Sequence, residues 1–282
     1  MSSVPMPNTL PPVKEGGTLH PPTSEFLKHL LIHTPLEGFF LGIRHRQKLK
    51  RLKVHPELKD LVEEDAKLEQ VLHRIITPDT NCVDVGGHLG SMLSTLITLA
   101  PRGRHAVVEP VPYKAKWLQK KFPGVNVFNC GASDKAGTVT FHVNVNQSAR
   151  STIHPTQDDL SQCVTLEIPL RSLDELLPGD YNPGFVKVDV EGAEKSVFEG
   201  MKKIAARSKP AIIFESTPDG LQGFGLTTAD NFEAIRKLGY SIWLFEDYLM
   251  SRPPLTLEQF AKAHEYPPKA RNFLAMPDTR AS

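Results

Sequence analysis

The sequence has little from which to build a disulfide framework, a membrane span or a charged binding field. Its 282 residues include 3 cysteines, Cys82, Cys130 and Cys163. They lie too far apart for a CxxC pair, so neither a stapled secreted scaffold nor a zinc ribbon is expected, and reduced thiols in a cytoplasmic protein are. Lys+Arg 33 against Asp+Glu 32 leaves a formal net charge of +1, which excludes the global field behind generic binding to nucleic acid or anionic membrane. The most apolar stretch, 91–100, is short and broken by Ser and Thr, and the N-terminus has neither a basic start nor an apolar run. No membrane span or signal peptide is expected, and with no Gly after Met1 there is no myristoylation signal. What is present, 40% hydrophobic and 23% charged residues, suits one large α/β domain with extensions.

Residues 1–23 carry Pro5, Pro7, Pro11, Pro12, Pro21 and Pro22 with Gly16 and Gly17, too many breaks for a regular ladder, and read as a disordered Pro-rich arm. An N-terminal helical extension is expected over 24–77: Phe26, Leu27, Leu30 and Leu31 recur at helical spacing after Ser24, and Leu58, Leu61, Val62, Leu68, Val71, Leu72 and Ile75 do so before Pro78. Between them the run 44–53 is basic and 57–69 acidic. That is a phosphate-binding patch or two solvated helix faces, and the absence of interleaved aromatics favours the faces.

From Asn81 the pattern alternates. Short apolar or β-branched runs at 82–85, 105–108, 125–128, 185–190, 211–214, 241–245 and 272–275 are separated in many places by helical stretches at 89–99, 113–121, 193–206 and 228–238. This predicts an α/β domain over 78–282, with a mostly parallel seven-stranded sheet, helices on both faces and ligands at the carboxyl ends of the strands. Two stretches that alternate like a strand pair, 137–146 and 163–170, are read as a β-ribbon insertion near that edge.

The segment CVDVGGHLG, 82–90, runs from an apolar strand through a glycine turn into a helix. Gly86 and Gly87 allow close approach or positive φ, Gly90 allows tight helix packing, and the helix start offers N–H groups to an electron-rich ligand. A dinucleotide fingerprint beginning at Gly86 needs glycines at 88 and 91, where His88 and Ser91 stand. The pattern of Asp84, Gly86 and Gly90 is similar instead to the acidic-x-Gly-x-x-x-Gly loop of S-adenosylmethionine methyltransferases, where the acid helps hold the cationic methionine end. Glu109 closes the strand at 105–108, where a carboxylate can accept bonds from both ribose hydroxyls. The turn NCGASD at 129–134, with Ala132 and Ser133, is an adenine contact or a plain turn. In FVKVDVEGAEKSVFEGM, 185–201, Lys187, Asp189 and Glu191 fall on alternate positions of a strand end. Three ionisable groups on one face are costly unless paired or functional, so they are catalytic candidates or a structural network.

Taken in order, VDVGGHLG (83–90), VVEPVP (107–112), the 129–134 turn, RSLDELL (171–177), VKVDVEGAEKSVFEGM (186–201) and AIIFES (211–216) make residues 60–276 resemble the FkbM family of S-adenosylmethionine-dependent methyltransferases. KxDxEGxE is the most specific element, and His88 departs from the Asn usual in the family's glycine loop. The resemblance implies a Rossmann-like class I methyltransferase fold, S-adenosylmethionine as cofactor and methyl transfer to an oxygen, commonly a hydroxyl of a sugar, glycan or natural product. Cofactor contacts are expected from Asp84, Gly86, Gly87, His88, Gly90, Glu109, Ala132, Ser133 and Asp189. Asp189 is expected to act as general base or ligand of a divalent ion, oriented by Lys187 and Glu191. Asp189, Glu191 and Glu215 either form a carboxylate site for that ion or pair with Lys187.

Other candidates carry weaker signals. His29 and His33 are one helical turn apart without a third ligand and read as ordinary helix residues. Arg150, Ser151 and His154 form an acceptor-contacting lid or a solvated loop, and Trp117 and Trp243 read as core. Two competing functions stand beside methyl transfer: a nicotinamide-dependent oxidoreductase, which the missing GxGxxG disfavours, and a non-catalytic scaffold with a decayed cofactor loop. Acceptor, metal dependence and oligomeric state carry no readable code.

Overall fold

A computed structural model describes residues 14–15, 30, 34, 52–144, 153 and 163–278. The expectations for His29, His33, Arg150, Ser151, His154, most of the Pro-rich arm and most of the basic run lie outside these residues.

In chain order, β1 (Lys14–Glu15) is followed by α1 (Lys59–Ile75), β2 (Cys82–Val85), α2 (Ser91–Leu99), β3 (His105–Val108), α3 (Pro112–Lys121), β4 (Asn126–Phe128) and β5 (Gly131–Ala132). Next come β6 (Gly137–Asn144), β7 (Cys163–Arg171), α4 (Leu173–Leu176), β8 (Phe185–Val188), α5 (Glu194–Glu199), α6 (Lys202–Ser208) and β9 (Ala211–Glu215). The chain closes with α7 (Pro218–Gly223), α8 (Thr228–Lys237), β10 (Tyr240–Trp243), α9 (Phe245–Leu249), α10 (Leu257–Ala263) and β11 (Asn272–Pro277).

The main sheet has seven strands in the order β10-β11-β9-β8-β2-β3-β4. β4, β3, β2, β8 and β9 are parallel, and β11 is antiparallel to both neighbours. The α/β expectation holds. The parallel strands are continuously apolar because helices cover both faces: Val83, Val85, Val186, Val188, Ile212 and Phe214 pack into one cluster, and Cys82, Phe185 and Ile213 pack on the other side with Val71 and Leu72 of α1. The helix that closes the expected N-terminal extension is thus packed on the core of the sheet.

The expected ribbon is β6–β7, paired antiparallel along its whole length. It is tied down on the far side of β7 by β5, which runs parallel to it, and by β1, where Lys14 pairs with Glu167 and Glu15 with Leu166. A Pro-rich stretch can supply such an edge because Lys14 and Glu15 both keep their N–H groups.

Several boundaries differ from expectation. The strand beginning at Phe185 stops at Val188, and β10 stops at Trp243, with Phe245 opening a helix. The helix expected over 193–206 is two, α5 and α6, separated at Gly200, where a side chain would run into the Ser133 carbonyl and Ser172.

Candidate active site

The carboxyl ends of β2, β3 and β8 meet at a cavity of about 250 Å³. Its polar lining comes from the loops that follow these strands: Gly86 and His88, Glu109 with Lys114, and Asp189 with Glu191. The opposite wall is apolar and comes from the ribbon, with Val139, Phe141, Ile168 and Leu170. Cys130, Gly131 and Ala132 lie between the two.

The glycine turn is built by a crossing of backbones. Gly86 has φ +85°, and a Cβ there would collide with the carbonyl oxygen of Asp189, whose N–H donates to Val85 O at 3.0 Å. His88 also has positive φ, +49°. Asn and His are among the few side chains enriched in that region, so the departure from Asn at this position keeps the backbone requirement. Within the turn itself the amides already have partners in the protein. The amides of Gly86 and Gly87 donate to Val108 O, that of Gly90 to Gly87 O, and that of His88 to Glu109 Oε2. Spent donors of this kind suit no pyrophosphate, which is bound by free ones.

Glu109 closes β3 and is 3% exposed. Its Oε2 accepts from His88 N at 2.8 Å and its Oε1 from Val111 N at 2.9 Å. Burial pushes this carboxyl above its ordinary range, opposed by the charge of Lys114 and by the two amide bonds. Asn129 fixes the neighbouring turn by donating to the carbonyls of Glu109 and Pro110, both at 2.9 Å. Ala132 reaches the cavity, whereas Ser133 is buried behind it with its N–H on Arg171 O.

The three ionisable groups of the 185–201 segment do meet, though not by strand alternation. The strand ends before Asp189, and Glu191 sits in the left-handed region with φ +53°. The turn that carries them is held by Glu194, whose Oε1 accepts from Gly192 N at 3.0 Å and Val190 N at 3.4 Å. Lys187 is 4% exposed and its Nζ donates to Asp189 Oδ2 at 3.2 Å. Asp84, in register with Lys187 across β2 and β8, is equally buried, and burial pushes its carboxyl up to about 7 against the pull of Lys187. Its Oδ2 has no hydrogen-bond partner.

Glu215 closes β9, the strand next to β8. Ligand atoms of Asp189, Glu191 and Glu215 lie within 4.8 Å of one another, the only such group among the described residues. Burial would raise the Asp189 carboxyl, but the Lys187 ammonium and a hydrogen bond donated by Glu215 outweigh it and hold the group low. Glu215 moves oppositely: burial, then the adjacent Asp189 charge, push it up to about 9. Two carboxyls at this spacing therefore keep one proton between them at neutral pH.

Of the residues singled out from the sequence, Gly86, His88, Glu109, Ala132, Asp189 and Glu191 line the cavity, while Asp84, Gly87, Gly90, Ser133, Lys187 and Glu215 stand behind them. Two residues went unrecognised. Glu194 holds the turn that carries Asp189 and Glu191, and Lys114, 2% exposed, reaches the cavity wall from the first turn of α3. Trp117 and Trp243 are half-buried, and their indole N–H groups donate to Leu89 O and Arg252 O.

A five-stranded parallel sheet edged by the antiparallel pair β11 and β10, with a glycine turn after β2 and an acid after β3, is the class I methyltransferase fold of the Rossmann-like type. Residues 84–242 match the methyltransferase FkbM domain, more than half of the chain, and the protein belongs to that family. Membership supports methyl transfer, with S-adenosylmethionine as the methyl donor that the family implies. No curated protein matches it. Among solved structures it is similar to methyltransferase FkbM from Methylobacillus flagellatus KT, at 19% identity and TM-score 0.40, over 71% of this chain and 44% of that one. The chain thus spans less than half of that protein. It is also similar to the StiE O-MT, residues 961–1257, at 13% identity and TM-score 0.41, over 77% and 75%. A third is the precorrin-6y C5,15-methyltransferase from Geobacter metallireducens GS-15, at 16% identity and TM-score 0.37, over 62% and 71%. No helix among the described residues is long and apolar enough to cross a membrane.

Proposed function

We propose that the protein is an O-methyltransferase that moves the methyl group of S-adenosylmethionine to a hydroxyl of a sugar, glycan or natural-product small molecule. The observation that carries this reading is the convergence of Glu109, the 86–88 turn and Asp189 with Glu191 on one cavity. The residues fit a cationic adenosine derivative that carries no phosphate: the turn's amides are spent, Asp84 keeps an unpartnered buried oxygen below it, and the polar wall is rich in carboxylates.

S-adenosylmethionine supplies an electrophilic methyl group on a positively charged sulfur. In this reading Glu109 accepts bonds from the ribose hydroxyls, the 86–90 turn and Asp84 face the methionine end, and Ala132 packs on adenine with Ser133 supporting it. Asp189 takes the proton of the acceptor hydroxyl as its oxygen bonds to the methyl carbon and the carbon–sulfur bond breaks. Lys187 orients Asp189 and keeps it ionised, Glu191 flanks it, and Glu215 stores the second proton. A positioned base contributes about 10²- to 10⁴-fold, and orientation of the hydroxyl in line with the breaking bond supplies more. Asp189, Glu191 and Glu215 are also the residues that would hold a divalent ion. The three free thiols support a reducing, cytoplasmic setting.

Calorimetric titration with S-adenosylmethionine and S-adenosylhomocysteine, followed by transfer of a labelled methyl group to hydroxylated glycans and metabolites, tests the reading. Micromolar binding with label in an ether product is expected. Absence of binding to either ligand would overturn it in favour of a non-catalytic scaffold.

A further inference from the structure

Lysine is almost never fully buried without an anionic or hydrogen-bonding reason, because desolvating the ammonium is costly. α3 carries four lysines, Lys114, Lys116, Lys120 and Lys121, and Lys114 alone is buried, at 2% exposed, and lines the cavity. It stands in the first turn of α3, where the macrodipole disfavours a cation, so its position is opposed by both solvation and the helix. Glu109 lines the same cavity, and of the groups that favour its charged form Lys114 is the strongest.

Resting on the reading of Glu109 as ribose acceptor, we propose that Lys114 is a positioning residue for the methyl donor. Its buried ammonium keeps the Glu109 carboxylate charged, so that both oxygens remain acceptors for the ribose diol while they also hold the amides of His88 and Val111. Among the described residues, the charged groups that act on Glu109 include Asp84 on β2, which opposes its ionisation, and His88 in the turn and Lys114 on α3, which favour it. A neutral Glu109 would present one hydroxyl donor and lose part of its acceptor capacity. Lys114 thus acts on donor binding through Glu109, without belonging to any motif of the sequence.

The test is calorimetric binding of S-adenosylhomocysteine from pH 6 to 9 to the wild type and to Lys114→Met, Lys114→Arg, Glu109→Gln and the Lys114→Met/Glu109→Gln double variant. Lys114→Met should bind about tenfold more weakly at pH 7, the loss of a charge-assisted acceptor. Its affinity should recover as pH rises, because Glu109 then ionises without help, and Lys114→Arg should bind like the wild type. In the Glu109→Gln background, Lys114→Met should change affinity less than twofold. Should Lys114→Met not fold, Lys114→Gln carries the same measurements with a hydrogen-bonding head group. A loss that is independent of pH, or that adds in full to that of Glu109→Gln, would overturn the role of Lys114. Unchanged affinity in Glu109→Gln itself would overturn the ribose assignment on which it rests.

Discussion

The carboxylate of Glu109 accepts the backbone N–H of His88 at 2.8 Å, so the acid that ends one strand fixes the glycine turn that ends its neighbour. The turns that follow β2 and β3 are therefore one hydrogen-bonded unit before any ligand arrives. Replacing Glu109 by Ala removes the acceptor for two buried amides, His88 N and Val111 N. Each orphaned group costs about 1–3 kcal/mol, so Glu109→Ala should melt at a lower temperature and lose S-adenosylhomocysteine binding. Unchanged melting with lost binding would show that the amides find other partners.

Asp189→Asn keeps shape and removes the proposed base. Turnover should fall by about 10²- to 10⁴-fold, with S-adenosylhomocysteine affinity changed only a few-fold. A variant with full turnover in a labelled-methyl assay would exclude Asp189 as the proton acceptor.

Gly86→Ala should be severe for a reason unrelated to ligand contact. The new Cβ would press on the Asp189 carbonyl in a left-handed conformation, and such strain costs on the order of 1–3 kcal/mol. Thermal unfolding should show the loss, and turnover should fall with it because the turn bearing Asp189 must shift.

Glu215 gives a prediction in pH. Its folded value of about 9 exceeds the ordinary 4.5, so the folded state holds a proton that the unfolded chain has released. Stability from this group is full below about pH 4.5 and drains as pH rises towards 9. Asp84, raised to about 7, drains in the lower part of that window, which leaves pH 7 to 9 to Glu215. Chemical denaturation there should show the wild type losing stability more steeply than Glu215→Gln. Parallel slopes would mean that Glu215 is ionised in the folded protein.

How far the site could be read from the chain depended on sequence distance. Glu109 and Asp189 each end an apolar run, and a parallel sheet collects strand ends at one edge, so both were visible without knowing the strand order. Lys187, Asp189 and Glu191 were expected together for a different reason than the one found: a turn at Gly192, latched by Glu194, gathers them, and an alternation of letters does not reveal a left-handed residue. The protonation of Glu215 needed the adjacency of β8 and β9. Lys114 was indistinguishable from Lys116, Lys120 and Lys121 because helix periodicity says which face a residue is on and not what covers it. The break at Gly200 was hidden similarly, since the Ser133 carbonyl that excludes a side chain comes from 67 residues upstream.

The ribbon completes its own ladder between β6 and β7, pairs with the short β5 and β1 in a sheet of its own, and packs Val143, Leu166 and Ile168 on Val111. An insertion that satisfies its own backbone can be lengthened, shortened or exchanged without opening the parallel sheet. Directed evolution can therefore recast the apolar wall through Val139, Phe141, Ile168 and Leu170 while the parallel sheet that carries Gly86, Glu109 and Asp189 stays in place. A library confined to these four positions is a compact route to a changed acceptor range.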